Sequence, residues 1–111
     1  MRQLAIIITF FLLISQASAE IIYVKYRSTP VDTSKGNFVC PSLKRSSFVN
    51  RICYDTSNQY LLVQLNSTYY HYCRMPESVV SSWISSNSLG RFYRNKVKGN
   101  YSCKYSGVPN Y

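Results

Sequence analysis

The chain has 111 residues, with thirteen lysine or arginine residues against four acidic ones and a formal net charge of +9 at pH 7. This length supports one small domain, whose core is marginal without further support. The charge favours phosphate-rich or other anionic surfaces as partners, although it also helps to keep a chain with eleven tyrosines soluble.

The first nineteen residues have the pattern of a secretory signal peptide. Arg2 makes the start positive, residues 4–14 are an apolar run, and Ala17-Ser18-Ala19 is a small-x-small cleavage site. The run is shorter than the ~20 residues that span a bilayer, so an uncleaved membrane anchor is the less favoured alternative. We expect residues 1–19 to be removed, which leaves a periplasmic or secreted protein beginning at Glu20.

Residues 20–45 form an extension before the first regular pattern. An apolar alternation over 21–26 predicts one edge strand, and the polar stretch that follows predicts a loop. Next, three segments favour strands, at 48–54, 60–65 and 68–74, with turn residues between them. They predict a three-stranded antiparallel meander.

The third strand should place Tyr70 and Tyr72 on one face and His71 on the other. The face with the two tyrosines is the more apolar, so we expect helices to cover it and the tyrosines to pack in the core. A base-stacking platform is the alternative for the same pair. His71, the sole histidine, would then lie on the wetter face.

Two helices are predicted after the meander. Pro76 fits the first position of one helix, in which Val80, Trp83 and Ile84 recur at helical spacing as far as about Ser86. The second helix starts from a cap at Ser88, places Leu89, Phe92 and Tyr93 inward, and ends at Gly99.

One residue does not fit the second helix. Lys96 would fall on its apolar face, so we expect the helix to loosen near Asn95 or the Lys96 stem to reach water. Beyond the helix, residues 101–104 are predicted to add an extended segment that ties Cys103 to the body.

The four cysteines all follow residue 19, and an even number in a short exported chain predicts two disulfides. No pair has the C-x-x-C spacing of a zinc or redox site, so we expect neither a metal nor a cofactor. Cys53 ends the first strand and Cys73 the third, about two spacings of ~4.8 Å apart, which is too far for a disulfide. Each should therefore pair with Cys40 or Cys103.

Five short motifs occur in order along the second half of the chain: Ser46-Ser47-Phe48, Ile52-Cys53-Tyr54-Asp55, Tyr70-His71-Tyr72 with Met75-Pro76, Ser88-Leu89-Gly90-Arg91-Phe92-Tyr93-Arg94-Asn95 and Val97-Lys98-Gly99-Asn100-Tyr101. With these motifs the span Ser46 to Tyr101 resembles the KTSC domain family, named after the C-terminal segment of some lysyl-tRNA synthetases, and we place the domain at 46–105 with a tail at 106–111. RNA binding has been suggested for the family. The predicted signal peptide and the four cysteines depart from its cytoplasmic members, so we expect an exported, disulfide-containing bacterial member.

A basic stripe on the second helix is the candidate contact surface. Arginine and tyrosine together are typical both of protein interfaces and of nucleic-acid contacts, so the stripe favours an anionic partner, either RNA or an acidic protein surface. Its residues are Arg91, Arg94 and Lys98, with Lys104 nearby and Tyr93 and Tyr101 interleaved.

The sequence therefore predicts an α+β fold, in which the N-terminal extension, the meander and the two short helices are stapled by two disulfides. We expect a binding module that is a monomer and not an enzyme, because the chain has few side chains for general acid–base catalysis. Two alternatives stay open. One is a small secreted ribonuclease-like hydrolase that uses His71 and Glu77 with a basic residue, and the other is a protein-interaction or inhibitor module.

Overall fold

The computed structural model describes residues 20–104 and 107–111, so the predicted signal peptide lies outside the described residues. Two antiparallel sheets are present, with strand orders β1-β2 and β3-β4-β5-β6. The elements are β1 (Ile21–Ile22), β2 (Val31–Asp32), β3 (Phe38–Val39), β4 (Val49–Asp55), β5 (Tyr60–Leu65), β6 (Thr68–Tyr72), α1 (Glu77–Ile84), α2 (Leu89–Phe92) and a π turn (Tyr93–Val97) that continues α2.

The predicted meander is present as β4, β5 and β6, but it is part of a larger sheet. β3 pairs antiparallel with the end of β4, so the sheet has four strands and not three. The N-terminal extension also differs from one strand and a loop, because β1 and β2 form a separate two-stranded sheet and Val24 bridges to Tyr69. These strands are two residues long, which is too short to show a period-two pattern in the sequence.

Both faces of the four-stranded sheet are covered. On one face, Ile52, Leu61 and Val63 pack with Trp83 and other helical residues in the main core. On the other face, a second cluster joins Cys53, Tyr60 and Leu62 to Ile22, Val24 and Val31 of the extension. The prediction that this second face is the wetter one is therefore wrong, because the N-terminal extension covers it.

Helix α1 begins after Pro76 and ends at Ile84, about two residues earlier than predicted. Ser85 and Ser86 donate side-chain hydrogen bonds to the carbonyls of Ser81 and Trp83, which satisfies the last turn. The indole N–H of Trp83 donates to the Leu89 carbonyl at 3.0 Å. This buried bond fixes α2 against α1.

The cap and the loosening predicted for the second helix are both confirmed. The Ser88 hydroxyl accepts a hydrogen bond from the Arg91 amide at 3.1 Å. The Lys98 amide bonds the Tyr93 carbonyl, five residues back, at 2.8 Å, so the last turn is π-helical. Lys96 is exposed in this turn while Val97 is buried. Gly99 then ends the helix at φ 83°.

The disulfides are Cys40–Cys53 and Cys73–Cys103, which confirms that Cys53 and Cys73 do not pair with each other. The first joins the extension to β4, and the second joins the segment after the π turn to the end of β6. That segment forms no strand, but its Tyr101 carbonyl accepts a hydrogen bond from the Cys73 amide at 2.8 Å.

Candidate functional site

The basic stripe predicted on the second helix is exposed. Arg91, Arg94 and Lys98 all face solvent, because Leu89, Tyr93 and Val97 occupy the inward positions. Lys104 is exposed beyond the helix, and Tyr101 is partly buried against the main core. Arg91 lies in α2, Arg94 in the π turn and Lys98 directly after it, and these three exposed cations are named here the basic surface (Arg91, Arg94 and Lys98).

Tyr93 does not belong to that surface. Its side chain is 6% exposed, and its hydroxyl shares a hydrogen bond with the Tyr72 hydroxyl at 2.6 Å. Burial and this hydrogen bond raise the pKa of Tyr72. Tyr93 lies one turn beyond Leu89 on the inward face, which is why the predicted interleaving of Tyr93 with the arginines is wrong.

The tyrosine pair of β6 packs against the helical side of the sheet, as expected. Tyr72 reaches the helical layer through Tyr93, whereas Tyr70 is half-buried and faces the exposed Tyr26, with ring centroids 6.4 Å apart. The interpretation of the pair as core residues therefore holds for Tyr72, while Tyr70 lies at the border between core and surface.

The acidic side chains leave the basic surface without neutralisation. Within residues 20–104 and 107–111, the only salt bridge joins Arg51 to Glu20 at 2.7 Å. The hydrogen bond from Arg51 lowers the pKa of Glu20, and a hydrogen bond from Ser34 lowers the pKa of Asp32. The third acid, Asp55, is fully buried.

Asp55 has a structural task at the end of β4. Its carboxylate accepts hydrogen bonds from the amides of Asn37 and Ser57 and from the side chains of Asn58 and Tyr111. Burial raises the pKa of Asp55, but these hydrogen bonds together outweigh burial, and the net pKa is lowered. The carboxylate therefore stays charged and holds the extension and residue 111 against the sheet.

A groove of about 560 Å³ runs along the free edge of β6 and was not anticipated from the sequence. The groove lies between two places where other segments form hydrogen bonds with the β6 edge. The Lys25 amide donates to the Tyr69 carbonyl at 2.9 Å, and the Cys73 amide donates to the Tyr101 carbonyl. The residues that line the groove are Tyr26, Tyr70, His71, Tyr72, Gly99, Asn100, Ser102, Cys103, Lys104 and Val108.

His71 lies at the middle of this edge and is half-buried, in contrast to the solvated position expected for it. Its Nδ1 atom shares a hydrogen bond with the hydroxyl of Tyr60 at 2.8 Å, and Tyr60 is fully buried. Arg27 donates to the same hydroxyl at 3.3 Å. Burial, and secondarily the positive charge of Arg27, lowers the pKa of His71, so the imidazole is neutral at pH 7.

The residues of the hydrolase alternative are not joined to each other. The hydrogen-bond partner of His71 is Tyr60, and among the described residues no hydrogen bond or salt bridge joins His71 to Glu77, which is exposed at the start of α1. No cluster of three potential metal ligands occurs among the described residues. None of the helices in the same residues is long and apolar enough to cross a membrane.

The fold and the site define a small α+β domain with two disulfides and an exposed basic helical surface. The model of the KTSC domain matches residues 45–101, just over half of the chain. The chain belongs to the KTSC domain family. The crystal structure of a KTSC domain protein from Yersinia pestis is similar, with a TM-score of 0.53 and 29% identity over 58% of this chain and 93% of that chain. Comparison with curated proteins finds no match.

The range that matches the KTSC domain contains only part of the lining of the groove. Tyr70, His71, Tyr72, Gly99 and Asn100 lie within residues 45–101. The other wall comes from outside that range, and the disulfide Cys73–Cys103 holds part of it in place. The residues outside the match are Tyr26, Ser102, Cys103, Lys104 and Val108.

Proposed function

We propose that this protein is an exported, basic binding module for an anionic partner, and that the partner is a single-stranded nucleic acid, RNA in the first place. The observation that carries the proposal is the basic surface of α2 and the π turn, where Arg91, Arg94 and Lys98 are exposed. Phosphate groups pair with such cations and release counterions when they bind.

The charge distribution supports this function more than it supports solubility alone. A charge that only kept the protein soluble would be interspersed with acidic residues. Here three of the four acids are engaged elsewhere: Glu20 is in the single described salt bridge, Asp55 is buried, and Asp32 bonds its own turn. The fourth, Glu77, is exposed at the start of α1. The rigid packing of Tyr93 and Val97 beneath the cations also means that little ordering is required when a ligand binds.

The test is the affinity of the oxidised protein for a labelled single-stranded RNA of about twelve nucleotides, measured by fluorescence anisotropy at several salt concentrations. We expect a linear fall of log affinity with log salt. Changing Arg91, Arg94 and Lys98 together to Ser should make that slope shallower by about 0.7 for each phosphate that the variant no longer neutralises.

The single substitutions Arg91→Ser and Arg94→Ser have Lys35→Ser as their matched control, because Lys35 is an exposed cation in a turn of the N-terminal extension. It should change the slope less than Arg91→Ser or Arg94→Ser. Polyglutamate of equal charge distinguishes the acidic-protein alternative, since equal affinity for RNA and polyglutamate would contradict a nucleic-acid partner. The RNA should also remain intact, and cleavage that His71→Ala abolishes would establish the hydrolase instead.

A further inference from the structure

The groove at the free edge of β6 is separate from the three cations that carry the proposed function. We infer that it is a subsite for one unpaired nucleobase of the bound strand, an inference that rests on the proposed nucleic-acid partner. Its volume of about 560 Å³ falls within the range of about 300–1,000 Å³ typical of small-ligand sites. Three tyrosines line it, together with polar groups from Asn100 and Ser102.

The hydrogen-bonding capacity of the edge fits a base and not a peptide strand. In an antiparallel pair, alternate residues direct both the N–H and the C=O away from the neighbouring strand. Because Tyr69 and Cys73 bond outward to Lys25 and Tyr101, His71 between them also points outward. Among the described residues, no backbone group pairs with His71 on that side.

A single outward residue offers one donor and one acceptor side by side. Strand addition needs several such residues in succession, which this edge does not provide. A nucleobase presents an adjacent donor and acceptor on its Watson–Crick edge, and proteins read unpaired bases through that edge. The outward N–H and C=O of His71 therefore provide the hydrogen bonds for one base.

The tyrosines supply the stacking surface. Tyr26 is 80% exposed, although its ring lies only 6.4 Å from the ring of Tyr70. Its backbone has a φ of 70°, a conformation that is costly for a bulky residue and that recurs at ligand sites. An exposed aromatic ring, held at the rim of a groove by an unfavourable backbone, is better explained by a bound ring than by packing.

Positive charge lies beside the tyrosines. The Lys25 ammonium is 5.3 Å from the centre of the Tyr26 ring and 5.8 Å from that of Tyr70. Cations interleaved with aromatic rings are the usual chemistry of sites that hold a base and the adjacent phosphate. This charge complementarity favours a nucleotide unit over a neutral aromatic ligand.

The test compares an oligouridylate with a strand of the same length that lacks bases. Wild-type protein should bind the oligouridylate at least about tenfold more tightly, which is the scale of one stacked base. Tyr26→Ala should remove this preference. Tyr23→Ala is the matched control, because Tyr23 is 75% exposed on the same segment and does not line the groove.

Nuclear magnetic resonance gives a direct readout of the site. His71 is the only histidine, so its ring signals are identified without further variants. The oligouridylate should shift the His71 amide and ring signals, and the strand without bases should not. Equal affinity for the two strands, or an equal decrease with Tyr23→Ala and Tyr26→Ala, would overturn the base subsite and leave the anionic-partner function intact. Failure of both strands to bind would overturn the proposed function and this inference with it.

Discussion

Removing each disulfide in turn distinguishes its contribution to the stability of the fold from its contribution to the shape of the groove. The disulfide Cys73–Cys103 closes a loop of 30 residues that contains both helices, whereas Cys40–Cys53 closes one of 13 residues. Loop-closure entropy in the unfolded chain predicts losses of about 3.6 and about 2.9 kcal/mol, respectively, for replacing each cysteine pair by Ala. The two variants should therefore be destabilised by similar amounts, with the longer loop losing slightly more.

Binding should distinguish these variants far more clearly than stability does. Cys103 lines the groove, and its bond to Cys73 fixes the wall formed by Ser102 and Lys104, while Cys40 and Cys53 do not line it. Cys73→Ala with Cys103→Ala should lose the preference for strands with bases, and Cys40→Ala with Cys53→Ala should retain it.

Urea denaturation without reductant, which keeps the remaining disulfide of each variant intact, measures the stabilities. Anisotropy with the two strands measures the preference in protein that is still folded. The reasoning is refuted if the preference survives removal of Cys73–Cys103, or if it disappears equally in both variants. A loss of stability below about 1 kcal/mol for either pair would also contradict the entropic argument.

Tyr72→Phe should lower the free energy of unfolding by about 1 kcal/mol, because it leaves the Tyr93 hydroxyl without its partner, and thermal denaturation checks this. An unchanged melting temperature would contradict the role given to that bond. Tyr26→Gly should raise the stability by relieving the left-handed backbone while removing the base preference, so stability and binding should move in opposite directions. The pKa of Asp55 is lowered in the folded state, so its charge stabilises the fold at neutral pH. This stability is lost as the pH falls from the ordinary pKa of 3.8 towards the lower pKa of the folded state. Asp55→Asn should be less stable than wild type at pH 7 and lose less stability between pH 5 and pH 2, and parallel urea profiles of the two proteins would refute this.

The parts of the fold that could be predicted from the sequence depend on local patterns. The alternation over 48–54 and the branched apolar residues over 60–65 predicted two strands of the sheet. The misfit of Lys96 predicted a disturbed helix, which the π turn confirms. The position of Lys96 in a regular helix would have been buried, so the irregularity follows from one residue. Likewise, the strand order alone excluded a bond between Cys53 and Cys73.

The parts that could not be predicted depend on contacts between distant segments. β3 has two residues and gains its place by pairing with β4. His71 is half-buried because Tyr60 and Arg27 reach it from far along the chain. The groove joins Tyr26 to residues 70–72, to residues 99–100 and 102–104, and to Val108, so no local pattern marks it. The eleven tyrosines are visible in the sequence, but their number does not say which rings are exposed.

The most direct test of the central claim is the salt dependence of RNA binding by oxidised protein that comprises residues 20–111, compared with its Arg91, Arg94 and Lys98 triple Ser variant. These cations are exposed and the inward residues are unchanged, so the variant should keep its melting temperature within a few degrees. We expect weaker binding and a slope of log affinity against log salt that is shallower by about two units if each of the three cations neutralises one phosphate. An equal slope and affinity in the two proteins would contradict the proposed function.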